Sequence, residues 1–234
     1  MKKVVLFIFL AALAVRLLYF PGNVYFAFDQ ARDSYTALEI LAGDFKILGP
    51  PSAASEKLFA GPLIYYVLAA IYFFFDRSPE AASVFFRVFN ALGVFLVFLL
   101  GAKIFDKKTG LVAAFLYAVS YEEAQYSLFL SHQPLAVLPV LLFYLGLALA
   151  IFKKDKRGVI LATLGLGLAI QSHYVYILLI PILVILVILF HRQIFPLKLK
   201  TVLTASAVLL LTLSTYILAE LKFNFRFLET LSYF

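Results

Sequence analysis

The sequence predicts an all-α, polytopic membrane protein with about seven or eight hydrophobic helices. Three observations carry this: 64% of its 234 residues are hydrophobic, the mean hydropathy is +1.00, and the apolar residues gather into runs long enough to cross a hydrocarbon core of roughly 30 Å. A water-soluble domain does not have this composition. The formal charge of +7 would ordinarily raise nucleic acid as a partner. Here, however, Lys and Arg sit in the short connections between runs, where they report membrane topology instead. The absence of cysteine excludes a disulfide framework and thiolate chemistry.

Taken in order, the apolar runs are 4–20, 60–75, 84–102, 110–128, 134–152, 158–171, 174–190 and 201–219. The first follows Met1, Lys2 and Lys3, but it contains Arg16 and lacks a small-residue cleavage site, so it reads as a retained span rather than a signal peptide. The run 60–75 opens with Gly61 and Pro62 and is expected to be a partly embedded helix. Runs 158–171 and 174–190 are separated by "SHY". They read as short helices meeting at a break, which a membrane protein tolerates where the break is buried or faces water. The basic clusters at Lys2–Lys3, Lys103 with Lys107 and Lys108, 153–157 and 191–200 are expected on the cytoplasmic side. That puts the N-terminus inside, and the loop 21–60 and the stretch 121–133 outside. The first loop carries a helix signal of its own: Asp29 as N-cap, Tyr35, Leu38 and Leu41 at helical spacing, and Gly43 as stop. This is expected to be an amphipathic helix at the membrane surface.

"FDQARDSYTALEILAGDF", "EKLFAGPLIYYVL" and "FFRVFNALGVF", in that order, resemble the N-terminal half of the polyprenyl-phosphate-sugar glycosyltransferases of GT-C fold, such as bacterial aminoarabinose transferases and protein O-mannosyltransferases. The resemblance covers nearly the whole chain as one transmembrane module over 1–234. Because family members continue for further spans, it implies the N-terminal part of a longer protein. It implies a sugar transferred from a polyprenyl-phosphate donor to a lipid, glycan or protein acceptor, with inversion, on the outer face of a plasma (inner) membrane. A catalytically silent module that binds a lipid-linked sugar is the alternative. A transporter would place ionisable residues deep in several spans, whereas here they cluster at one face.

Such transfer needs a base for the acceptor hydroxyl and cations for the departing phosphate. By this resemblance Asp29 is the base, and Arg32 and Lys57 hold the phosphate; if the run 60–75 does not cross, Arg87 also lies near the outer face, within reach of the same phosphate. Asp33, one helical turn beyond Asp29, is a second site acid or, more simply, an ion-pair partner for Arg32. His132, Gln133 and His173 are expected to line the acceptor cavity. Gln30 and Gln133 stand where the family carries acids, which argues against a divalent metal cofactor, and no other cofactor is implied. Asp29 as a plain helix cap, Lys57 and Arg16 as interfacial anchors, and Glu122 and Glu123 as a solvated loop face are the non-catalytic readings.

Overall fold

The computed structural model describes residues 1–52 and 58–224. Among the described residues the chain is helical and has no strand; its only bridge pairs join Tyr25 to Phe129 and Pro51 to Phe59. The helices are α1 Lys2–Arg16, α2 Phe28–Leu41, α3 Leu63–Phe74, α4 Pro79–Ala91, α5 Gly93–Ile104, α6 Lys107–Val119, α7 Tyr121–Tyr126, α8 Val137–Phe152, α9 Arg157–Ser172, α10 Leu179–Leu189, α11 His191–Ile194, α12 Leu199–Thr212 and α13 Ser214–Lys222.

Two of them are long and apolar enough to cross a membrane. These are Pro79–Ile104, in which α4 and α5 run together, and Pro134–Phe152, which is α8 with the turn before it. The pair α12 and α13, bent by 56°, makes a third if it counts as one span. Shorter apolar helices, Leu63–Phe74, Arg157–Ser172 and Tyr174–Leu189, stand beside them, and polar residues cut several of the apolar runs. The run 110–128 breaks at Ser120, which leaves the helical region and accepts the Glu123 N–H at 3.3 Å to start α7. The run 60–75 becomes a helix of 12 residues, roughly 18 Å long. Elsewhere the ends are set by caps: Ser78 accepts from the Ala81 N–H at 3.1 Å with Pro79 behind it, and Asp106 accepts from the Thr109 N–H at 2.8 Å.

The helix expected in the first loop is present as α2, but its start differs from expectation. Ala27 is the N-cap residue, and Gln30 reaches back to accept the Ala27 N–H at 3.1 Å, leaving Asp29 one place inside the first turn. Its protein-facing stripe is Gln30, Asp33, Ala37 and Ile40, packed on α3, while Tyr35 and Leu41 face outward. Gly43, at φ +99°, ends it as expected.

Three apolar cores result. One lies between α2, α3 and α4 around Ile64, Leu68 and Phe86. A second joins α1, α5 and α6 around Ala12, Val94 and Ala114. The third joins α8, α9 and α10 around Phe143, Leu166 and Ala169. In the third, α8 and α9 meet backbone to backbone. A Cβ on Gly146 would overlap the backbone of Ala162 and Gly158, and one on Gly165 would overlap Phe143 and Pro139. Small residues give membrane helices this approach. Gly146→Val should therefore force the pair apart and cost roughly 1–3 kcal/mol, read as a lower thermal midpoint of the detergent-solubilised protein.

Candidate active site

Three interruptions of helix converge on one cavity of about 480 Å³. The first turn of α2 contributes Asp29 and Arg32, the loop before α8 contributes Ser131, His132 and Gln133, and the break after α9 contributes His173 and Tyr174. The extended stretch Pro50–Ser52 closes another side. At the break, His173 takes an extended conformation (φ −159°, ψ 129°) before a 3-10 turn over Tyr174–Leu178. The "SHY" interruption thus faces a polar cavity, an environment in which unpaired backbone is tolerated. Ser52 and Tyr174 share a hydroxyl–hydroxyl hydrogen bond of 2.6 Å that ties the first loop to the break.

Charge at this site is arranged around Arg32. Its Nε donates to Asp33 Oδ1 at 2.8 Å and Nη2 lies 2.7 Å from the same oxygen, while Nη1 donates to Asp29 Oδ1 at 2.9 Å. The two carboxylates differ in access: the Asp33 side chain is 1% exposed and that of Asp29 63%. Asp33 is therefore the partner that holds the guanidinium, and Asp29 is the carboxylate open to the cavity. Asp33 Oδ2 is buried without a hydrogen-bond partner. Burial pushes the Asp33 carboxyl up to about 6 against the pull of Arg32. Burial also opposes the charge on Arg32, but the hydrogen bond and charge of Asp33, with Asp29 behind, prevail and raise its pKa.

The His132 and His173 rings stack with centroids 5.3 Å apart and planes inclined by 18°. Burial, then the proximity of His173 and Arg32, pushes His132 down to about 3, and burial lowers His173 as well. Both imidazoles are neutral at pH 7. His173 Nδ1 accepts the Val175 N–H at 3.1 Å, which assigns its proton to Nε2 and makes that atom a donor. Ser131 Oγ donates to Gln133 Oε1. Among the described residues no group of three or more His, Asp or Glu side chains is disposed to hold a metal ion.

Of the residues singled out from sequence, Asp29, Arg32, His132, Gln133 and His173 come together here. Asp33 stands behind Arg32. Lys57 lies outside the described residues. Arg87 is not among the residues lining the cavity, and the expectation that it reaches the same phosphate is corrected. It is fully buried, with Nε donating to Ser83 Oγ at 3.0 Å and Nη2 to Asn23 Oδ1 at 2.9 Å, while Nη1 donates to the carbonyl of Arg16. Arg16, read as an interfacial anchor, is buried too; its Nε donates to Asn90 Oδ1 at 2.6 Å and its Nη1 to the Ala118 carbonyl at 3.0 Å. Asn90 in turn donates to Glu123 Oε2 at 2.8 Å, so Glu123 is tied inward while Glu122 stays exposed. Sequence reasoning passed over Pro50, Pro51, Ser52, Ser131 and Tyr174. The adjacent prolines and the hydroxyls within "SHQ" and "SHY" were the available signals.

A family model described as dolichyl-phosphate-mannose-protein mannosyltransferase matches residues 60–218. The chain belongs to that family. No curated protein and no solved structure matches it. This mannosyltransferase family implies a membrane glycosyltransferase of the GT-C kind, working on a lipid-linked sugar in a membrane context. The family match takes in Ser131, His132, Gln133, His173 and Tyr174, whereas α2 with Asp29 and Arg32 precedes it.

The depressed pKa of His132 has a defined signature. The folded state disfavours its proton, so its contribution to stability is complete above the ordinary histidine pKa of about 6.5 and is lost as pH falls toward about 3. His132→Gln should flatten that part of the stability–pH curve, measured by thermal unfolding at fixed ionic strength. The raised Asp33 acts in the opposite sense: its contribution is complete below about 3.8 and is lost as pH rises through about 6. Asp33→Asn should leave the histidine component in place.

Proposed function

We propose that this chain transfers a sugar from a polyprenyl-phosphate donor to a hydroxyl of a lipid, glycan or protein acceptor, with inversion, at the outer face of the plasma (inner) membrane. The observation that carries this reading is the pairing of an open carboxylate with a braced guanidinium at one cavity, Asp29 beside Arg32.

In this mechanism Asp29 takes the proton of the acceptor hydroxyl as that oxygen attacks the anomeric carbon from the side opposite the phosphate. The bond from the anomeric carbon to the phosphate oxygen breaks, and its electron pair stays on the phosphate. Arg32 neutralises that charge. Asp33 grips its Nε and Nη2, which leaves Nη1, the group now on Asp29, directed to donor oxygens. Lys57, close in sequence to the cavity-lining Ala60, is the proposed second cation. The neutral His132 and His173, with Gln133, supply donors and acceptors for sugar hydroxyls. The exposed rings of Tyr25, Phe26 and Phe28, next to Asp29 in the chain, suit a prenyl chain.

Asp29→Asn should lower transfer from a labelled polyprenyl-phosphate sugar by roughly 10²–10⁴-fold while donor binding persists; undiminished transfer would remove Asp29 as base. Arg32→Gln should instead weaken donor binding. For topology, a reporter fused after Phe75 should appear outside the cell, because the segment 60–75 is embedded without crossing, and a cytoplasmic signal would show that it crosses.

A further inference from the structure

A second cavity lies at the other end of the bundle. Lys2 begins α1, Lys103 lies in the last turn of α5, Lys107 begins α6 and Lys153 follows α8, and all four line one cavity of about 650 Å³. Its floor is apolar. Phe95, Phe98, Leu99 and Ala102 fall at i, i+3, i+4 and i+7 of α5, a single stripe leading from the lysines into the bundle, with Val5 of α1 facing it. Among the described residues none of these lysines forms an ion pair with a carboxylate. Two acids stand on the adjoining turns. Asp106 is engaged as the cap of α6, and Asp155 is paired with Arg157 at 3.0 Å and feels the charge of Lys103 as well. Positive charge is therefore left over at the mouth of an apolar slot.

This cavity is separate from the one that holds Asp29. The span Pro134–Phe152 runs between them, with His132 and Gln133 just before its start and Lys153 just after its end. Its 19 residues place the two about 28 Å apart, close to one hydrocarbon thickness.

We propose that the lysine cavity binds an anionic phospholipid of the surrounding bilayer, its phosphate among Lys2, Lys103, Lys107 and Lys153 and one acyl chain along the Phe95–Ala102 stripe. Four cations select against a zwitterionic headgroup, and the apolar floor selects against a free anion. Basic pockets between transmembrane helices are suited to anionic headgroups in this way.

The test uses the whole chain in detergent, followed by native mass spectrometry and thermal unfolding with phosphatidylglycerol, phosphatidylcholine, a polyprenyl phosphate or inorganic phosphate added separately. Phosphatidylglycerol should be retained and raise the unfolding temperature above that with phosphatidylcholine. Each Lys→Gln change should weaken its retention by about fivefold, while simultaneous Lys→Arg changes at the four positions should preserve it. Equal retention of the two phospholipids, or retention unchanged in the fourfold Lys→Gln variant, would overturn the proposal. Protection by inorganic phosphate alone would reduce the site to an anion site and overturn it. Preference for the polyprenyl phosphate would overturn it as well, assigning the cavity to a reaction lipid. If the fourfold variant does not fold, the comparison of lipids on the unaltered chain decides. None of these outcomes depends on Asp29 or on transfer activity.

Discussion

Two guanidinium groups in an apolar interior constrain this fold more than any other feature. Among the described residues neither Arg16 nor Arg87 forms an ion pair with a carboxylate, and each is satisfied by carbonyls, amides and a hydroxyl. A charge left in such a place without hydrogen bonds would be very costly. The Arg16 carbonyl belongs to the last turn of α1, where helix carbonyls have no intrahelical partner, and Arg87 occupies it. The same guanidinium holds Asn23 in the connection that follows. The exit from α1 and the approach to α2 are thereby fixed to α4, while Arg16 fixes α1 to α6. The first turn of α2, where Asp29 and Arg32 stand, inherits its position from these contacts.

A second arginine solves a different problem. Arg32 is only partly buried, and it lies between one inaccessible and one open acid. The inaccessible acid keeps an oxygen unpartnered, a cost that only its grip on the guanidinium offsets. What this arrangement provides is direction: a cation on a flexible stem becomes a fixed group with one nitrogen aimed at the cavity.

Much of this was legible in the residues, and the failures have local causes. The break after Ser172 was legible because a polar interruption of two apolar runs has few places to go in a membrane. Convergence of Asp29, Arg32, His132, Gln133 and His173 followed from loop parity. The start of α2 was misjudged because Asp is a good cap and Ala is not. Gln30 settles the matter by reaching back to the Ala27 amide, which gives this residue a structural task. On α2, Tyr35 and Leu41 lie on the exposed face, while the side toward the protein takes Gln30 and Asp33. Arg87 was misplaced for a deeper reason: proximity in a topology diagram carries no information about which carbonyls an arginine will meet. The run 110–128 divides because Ser120 ends a helix inside it, a polar interruption that a hydropathy window reads through.

The glycine contact between α8 and α9 has a mechanical consequence. His132 precedes one of these helices and His173 follows the other, and their backbones touch along the way. The two helices therefore tilt as one body. The absent Cβ atoms set their separation, so the stacked placement of the two imidazoles rests on the helix contact as well as on the loops that carry them.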